Sequence, residues 1–293
     1  QKLLQAPDNY NLFNLNLKSG FHYQYMRNML QLNNGNGTFS EVGQQMGISN
    51  TDWSWSALFA DFNNDTWQDL FVSNGYKRDY TNRDFLNYME TFVKDKKSKL
   101  KRDDVVEIIN NMPASNVSNY IYSNQNGKKF KDVTKEWGLQ DFTNSNGAAY
   151  GDLDNDGDMD LVVNNINAAV SLYRNNSDGI NNYIQIQLEG QKKNRQSLGT
   201  KVRVFAKGFK QVKEQFTTRG YLSTVSPILH FGLGKIQKID SIQIQWPDGT
   251  LQTEENIAIN QKISLKQGEL SQQPTQDKIS KTWFSKLKSK ISY

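Results

Sequence analysis

Sliding the chain along itself by 91 positions aligns residues 28–74 with 119–165 without a gap, and 14 of the 47 aligned positions are identical. An internal duplication constrains the fold more than composition can, because a unit too small to bury both of its faces must stack on copies of itself. The matches concentrate at turn and loop residues: Phe39 with Phe130, Val42 with Val133, Gly47 with Gly138, Ala57 with Ala148, Asp61 with Asp152, Asp65 with Asp156, Asp69 with Asp160 and Leu70 with Leu161. Each unit reads as short strands separated by Asn/Gly turns, with NYIYSNQNGKKFKDV as strand, turn and strand and AAYGDLDNDGDMDLVVNN as strand, acidic loop and strand. Units of about four strands stack radially as propeller blades, and about 4 to 8 blades close a ring. Two units do not, so the chain reads as part of a larger propeller.

The period changes twice. Over residues 75–118, Phe85, Tyr88, Met89, Phe92 and Val93 recur at helical spacing, and Asp104 with Glu107 forms a capping pair ahead of VVEIINNM, which Pro113 stops. This is a helical insertion on the propeller rim, which covers a blade edge or packs on a neighbour. After Asn182 the period is two: YIQIQLEG, KVRVFA, SIQIQW and KISLKQ alternate apolar and polar residues between Gly/Pro turns, predicting roughly eight short strands. The expected fold class is therefore all-β. A partial propeller over residues 1–180 carries the insertion, a β-sandwich-like domain follows over 181–267, and a basic amphipathic tail ends the chain over 268–293.

The strongest chemical signal is Asp152-Leu-Asp154-Asn-Asp156-Gly-Asp158-Met-Asp160. Carboxylates at loop positions 1, 3, 5 and 9, a glycine at 6 for the sharp turn and a backbone carbonyl at 7 suit one hard cation with all-oxygen ligation, which favours Ca²⁺ over Mg²⁺. Five carboxylates in nine residues repel one another unless a cation sits among them. An EF-hand is excluded, because position 12 is Val163 and the flanks are strands. The equivalent loop, Asp61, Asn63, Asp65, Trp67 and Asp69, has an amide at position 3 and the β-branched Thr66 at position 6. It should bind more weakly or stand as a solvated acidic turn. Two Ca²⁺ are expected, the second loop holding the stronger site, and both ions are structural because the carboxylates are committed to ligation.

These two D-x-[DN]-x-D-x-x-x-D loops inside strand pairs resemble FG-GAP/VCBS repeats. Leu198-Gly-Thr-Lys-Val, Arg219-Gly-Tyr-Leu-Ser, His230-Phe-Gly-Leu-Gly and Trp246-Pro-Asp-Gly are similar to the ASPIC/UnbV domain of cartilage-acidic-protein-like proteins. SNGYKRDYTNRDFLNYM resembles large members of that family from Bacteroidetes-type bacteria. The resemblance implies calcium at Asp152, Asp154, Asp156, Asp158 and Asp160, an extracellular location at an outer-membrane-associated surface, and no catalytic residue to carry over.

Charge and composition narrow the functions. With no Cys and two separated His, thiolate zinc sites, disulfides and cysteine nucleophiles are absent. The formal net charge is +5, but residues 277–293 hold +4 and residues 94–104 hold +3, which leaves the rest at −2. Basicity confined to two short segments argues against nucleic acid as a partner. Ile279, Trp283, Leu287 and Ile291 recur every four residues among the tail lysines, a pattern that suits an anionic membrane surface, a partner, or a helix folding back on its own domain. Trp53 and Trp55 form either a sugar-stacking pair or blade core. His22 and His230 read as strand residues with local hydrogen bonds. A chain beginning at Gln1 reads as processed or as a fragment. The leading expectation is a non-enzymatic, calcium-stabilised binding or scaffold module with protein partners at the cell surface. The alternative is a glycan-active enzyme or carbohydrate-binding protein using the propeller face, with acids such as Glu90, Glu107 or Asp141.

Overall fold

A computed structural model describes residues 7–21, 27–97, 99–115, 117–191, 193–268 and 271–272. His22 and the basic segment of 277–293 lie outside these residues. The chain is mostly β, with 37% strand and 12% helix.

Helix α1 (Pro7–Lys18) precedes the first repeat, which forms β1 (Gln31–Asn33), β2 (Phe39–Glu41), β3 (Ser54–Ala60) and β4 (Asp69–Asn74). The insertion forms α2 (Arg83–Asp95) and α3 (Arg102–Asn110). Next come β5 (Val117–Ser118), β6 (Tyr120–Asn124), β7 (Phe130–Asp132), β8 (Phe142–Thr143), β9 (Ser145–Gly151), β10 (Asp160–Asn165) and β11 (Ser171–Tyr173). Adding 91 to the bounds of β2, β3 and β4 returns those of β7, β9 and β10 residue for residue. The backbone repeats as well: Asn64 and Asn155 are left-handed at φ +57° and +63°, and Thr66 and Gly157 at +88° and +96°. Thr66 thus takes a conformation that glycine adopts without a Cβ penalty, a cost the first loop bears and the second avoids.

Strand pairing is out of phase with the sequence repeat. β6 pairs with β4 through Leu70↔Tyr122, Phe71↔Ile121 and Val72↔Tyr120, giving the sheet order β3-β4-β6-β7. One blade therefore takes a hairpin from each repeat, where a repeat-by-repeat reading makes each unit its own blade. β4 lies inside this sheet and is buried along its whole length, because alternate side chains enter different clusters. Leu70 and Val72 pack with Ile48, Tyr122 and Phe130, whereas Phe71 joins Leu58 and Ile121 against Ala148, Leu161 and Val163. Phe71 is 0% exposed, and truncating such a side chain to Ala costs about 3–5 kcal/mol.

The insertion is helical as expected, with a different start to its second helix. Asn82 caps α2, its side chain accepting from the Phe85 N–H. In α3, Asp104 is the third helical residue and its carboxylate accepts from the Lys101 N–H at 2.8 Å, while Lys96 pairs with its other oxygen at 2.8 Å. Asp104 therefore completes a cap from inside the helix instead of opening it. Phe85 and Ile108 supply the buried apolar contacts of the two helices.

The remainder forms β12 (Asn182–Glu189), β13 (Lys201–Ala206), β14 (Phe209–Glu214), β15 (Leu229–Gly234), β16 (Ser241–Gln245), β17 (Leu251–Glu255), β18 (Lys262–Lys266) and β19 (Ser271–Gln272). Two sheets result, ordered β15-β12-β18 and β14-β13-β16-β17-β19. The chain divides into two compact units. One holds the chain through Ile186 with Phe216–Gln237 and Ile259–Ile263, and the other holds Gln187–Gln215, Lys238–Ala258 and the chain from Ser264. In the second unit Val202, Val204, Ile242 and Ile244 point inward at 0% exposure, as the two-residue period requires. Trp246 is buried beside them and its indole N–H donates to Gln252 Oε1 at 2.9 Å, satisfying the one polar group that burial would otherwise strand.

Candidate metal centre

The second acidic loop connects β9 to β10. Asp152, Asp154 and Asp156 each bring a carboxylate oxygen within 4.8 Å of the others, and Asp156, Asp158 and Asp178 form an adjoining group that shares Asp156. Gly157 turns the loop at φ +96°, and a Cβ there would lie 2.0 Å from the Tyr183 ring, so the turn admits no side chain. Asp152 Oδ2 accepts from the Gly157 N–H at 3.1 Å and from Gln185 Nε2 at 2.7 Å. Asp152 Oδ1 and Asp158 Oδ1 are buried without a hydrogen-bond partner. A buried carboxylate oxygen left unpaired is costly. Burial first, and then the Asp156 charge, push the Asp158 carboxyl up to about 7. An all-oxygen, carboxylate-rich set with two orphan oxygens fits a hard cation such as Ca²⁺, which would supply the missing partner and offset the repulsion.

Other groups offset part of that charge. Arg174 Nε lies 2.9 Å from Asp154 Oδ2 and Nη2 lies 3.5 Å from Asp156 Oδ2. Asp158 Oδ2 accepts from the Ser177 N–H at 2.9 Å. Asp160 stands apart from both groups: its oxygens accept from the Leu153 and Asn175 N–H groups, each at 2.8 Å, so in this arrangement it closes the loop.

The first loop satisfies itself. Asp61 accepts from the Asp65 and Thr66 N–H groups at 2.9 and 2.8 Å, and Asp65 accepts from Trp67 N–H at 2.9 Å and from Asn63 Nδ2 at 3.0 Å. The Asn63 amide thus donates where a metal-binding loop would present an oxygen to the ion. Asp69 repeats the role of Asp160, accepting from the Phe62 and Asn124 N–H groups. Burial pushes its carboxyl up to about 8, with Asp61 and Asp65 adding to the shift against those two donors. Among the described residues, three carboxylates converge within 4.8 Å at the second loop and not at the first.

Sequence reasoning missed the segment after β11. Asn175 Nδ2 donates to the Phe62 and Met159 carbonyls, Asn181 Nδ2 donates to the Asn63 carbonyl, and Asp178 joins the second carboxylate group. The run Asn175-Asn-Ser-Asp178 offered a polar signal, without a spacing rule to connect it to loops 15 or more residues away.

Trp53 stacks on Tyr76 at 4.3 Å, while Trp55 donates to the Gly75 carbonyl at 2.8 Å and lines a cleft of ≈ 730 Å³ with Tyr76, Lys77, Arg78, Val162 and Tyr221. Among the described residues no carboxylate lines this cleft, and Glu136 is the one carboxylate among those lining a second cleft of ≈ 610 Å³. Neither holds the pair of acids that glycoside hydrolysis uses. Glu90 pairs with Lys94 and Asp141 accepts from the Tyr173 hydroxyl at 3.1 Å. His230 makes a bond that is not local: its Nε2 lies 2.5 Å from Asn64 Oδ1.

Repeated short-stranded units with acidic hairpin loops, followed by a strand-rich segment, make this a protein of FG-GAP-like repeats with an ASPIC/UnbV domain. Residues 20–72 and 101–163 match the FG-GAP-like repeat model, and residues 190–272 match the ASPIC and UnbV model. The chain is similar to cartilage acidic protein 1 of Homo sapiens, 29% identical over 132 residues that cover 41% of this chain and 18% of that protein. It is also similar to cartilage acidic protein 1 of Mus musculus, 29% identical over 118 residues that cover 36% of this chain and 17% of that protein. The match thus spans less than a fifth of the length of these relatives. The two domain types suggest a binding or scaffold module, and the likenesses suggest an extracellular protein. No helix among the described residues is long and apolar enough to cross a membrane.

Proposed function

We propose that the chain is a non-enzymatic, calcium-stabilised module that binds or scaffolds protein partners in an outer-membrane-associated assembly at the cell surface. The observation that carries the calcium reading is the pair of buried, partnerless oxygens, Asp152 Oδ1 and Asp158 Oδ1, set among five carboxylates. The role of the ion is to lock the β9 to β10 hairpin, and one strong site at the second loop is favoured over two equal ones. The self-satisfied hydrogen bonding of Asp61, Asn63 and Asp65 supports that order.

Thermal unfolding with Ca²⁺ and with EGTA tests the reading. An ion that binds the folded state alone adds about 2.7 kcal/mol at a hundredfold excess over Kd, so EGTA lowers Tm and Asp156→Asn removes the difference between the two conditions. Identical melts for the wild type in Ca²⁺ and EGTA overturn it. For the assembly, recovery of the same partner set from washed cell envelopes supports the surface reading, and recovery of the chain in the cytosol alone overturns it.

A further inference from the structure

The cleft that Trp55 lines lies at the far end of β9 from the acidic loop. Asn146, the second residue of β9, borders it, whereas Asp152 follows the last residue of that strand. At about 3.3 Å per residue the strand sets the two about 20 Å apart. The volume of ≈ 730 Å³ falls within the range of small-ligand sites, roughly 300–1,000 Å³.

Three rings form its aromatic wall, and hydrogen bonds and stacking hold them in place. The Trp55 indole N–H is committed to the Gly75 carbonyl, so this ring offers the cleft carbon alone. Tyr221 leans on it with 4.8 Å between centroids and 58° between planes, and its N–H donates to Ser56 Oγ at 2.8 Å. Gly220 permits that approach: it is left-handed at φ +69°, and a Cβ on it would lie 2.5 Å from Ser56 Oγ. Tyr76, the third ring, is backed by the Trp53 stack.

The charge in the cleft has one sign. Lys77 and Arg78 line it, and among the described residues no carboxylate does. Lys77 is half-buried and has no ion-pair partner among the described residues. Asp79, two positions on, is buried and accepts instead from the Thr81 N–H and hydroxyl. Arg78 is oriented by a bond from Nη1 to the Ile109 carbonyl. A partly desolvated ammonium without a counter-charge favours an anion beside it. The side-chain amides of Asn146 and Asn164 also line the cleft and make no hydrogen bond among the described residues.

A ligand that satisfies this lining has an anionic group, a C–H face and hydrogen-bonding groups at its edge. An apolar peptide side chain would leave both amides unpaired, and an inorganic anion would leave the rings bare. A sugar ring carries C–H groups on its face and hydroxyls around its rim. A uronate adds a planar carboxylate, which the remaining guanidinium donors of Arg78 suit. We infer that the cleft binds a uronate-bearing saccharide, its carboxylate at Lys77 and Arg78 and a sugar ring against Trp55 and Tyr221. The site goes beyond the protein partners proposed above and does not depend on an ion in the acidic loops.

Titration of the whole chain with oligogalacturonate, oligoguluronate and hyaluronan oligosaccharides, each beside its carboxyl-reduced counterpart, tests it. At least one uronate series binds, and reduction of its carboxyls raises Kd by about tenfold or more, the scale of one hydrogen bond to a charged group. Lys77→Gln and Tyr221→Ala do the same, while Lys77→Arg, which keeps the charge, keeps most of the affinity. The Tm of Lys77→Gln stays within about 2 °C of the wild type, because no partner is stranded. Affinity falls as salt rises, since screening weakens the contact with the carboxylate. Absence of binding in all three series, equal binding of the reduced forms, an unchanged Kd in Lys77→Gln, or tighter binding of hexaglutamate or of a uronate-free carrageenan oligosaccharide overturns the inference. A melt unchanged in EGTA leaves it intact, and failed titrations leave the calcium reading intact.

Discussion

Asn64 and His230, 166 positions apart, meet in a buried hydrogen bond of 2.5 Å between Asn64 Oδ1 and His230 Nε2. Asn64 Nδ2 donates to the Gly157 carbonyl at 3.1 Å, which fixes the orientation of the amide and makes the His230 nitrogen the donor. One left-handed asparagine of the first acidic loop therefore ties together the second loop and β15. Removing either partner strands the other, at about 1–3 kcal/mol. Asn64→Ala and His230→Ala should each lower the urea midpoint, and the double variant should lose less than the sum, with a coupling of about 0.5–3 kcal/mol. Strict additivity would show that the bond contributes nothing.

Gly232 faces the same loop. A Cβ on it would lie 2.1 Å from Asp61 Oδ2 and 2.7 Å from Asn64 Cα, while its own backbone is outside the left-handed region. The cost of Gly232→Ala is therefore steric overpacking, about 1–3 kcal/mol. Equilibrium denaturation should show that loss, and an unchanged midpoint would mean that β15 does not approach the loop this closely.

Arg174 offsets the charge of Asp154 and Asp156 from a side chain that is 64% exposed. Solvent screening leaves such an exposed pair little net stabilisation. Arg174→Ala should lower Tm by a few degrees at most in EGTA and leave Tm in saturating Ca²⁺ unchanged or higher, widening the gap between the two melts. A gap that narrows would make Arg174 a support of the metal-bound loop.

The Lys96 and Asp104 pair provides a pH test for the insertion. The Lys96 ammonium and then the Lys101 N–H hold the Asp104 carboxyl below its ordinary range, and Asp104 in turn holds Lys96 above its own. Stabilisation from Asp104 is therefore complete above about pH 4 and is lost as the pH falls through its lowered folded value, while the Lys96 contribution is lost as the pH rises past about 10.5. Amide exchange in α3, corrected for its intrinsic rate, should be most protected between these limits. Asp104→Asn should remove the acid-side loss, and an acid loss that persists in this variant would assign it to other groups.

Much of the fold can be read from the chain by itself. Strand, turn and loop follow from the duplication, because the left-handed positions at 64 and 155 and the strand bounds from 54 to 74 and from 145 to 165 depend on local residue types. The cluster of aspartates from 152 to 160 is legible for the same reason: its chemistry lies in nine consecutive residues. Tertiary structure decided what lies across the loops. Leu70 to Val72 pair with the next repeat's first strand, so that blade and repeat fall out of phase. Asp178 comes beside Asp156 and Asp158, Gln185 reaches Asp152, and His230 reaches Asn64 from a segment whose neighbours in sequence belong to the other compact unit. Each of these contacts joins residues separated by about 20 to 166 positions. No local periodicity encodes which distant segments share a buried environment, because that choice is made by the apolar surface they cover together.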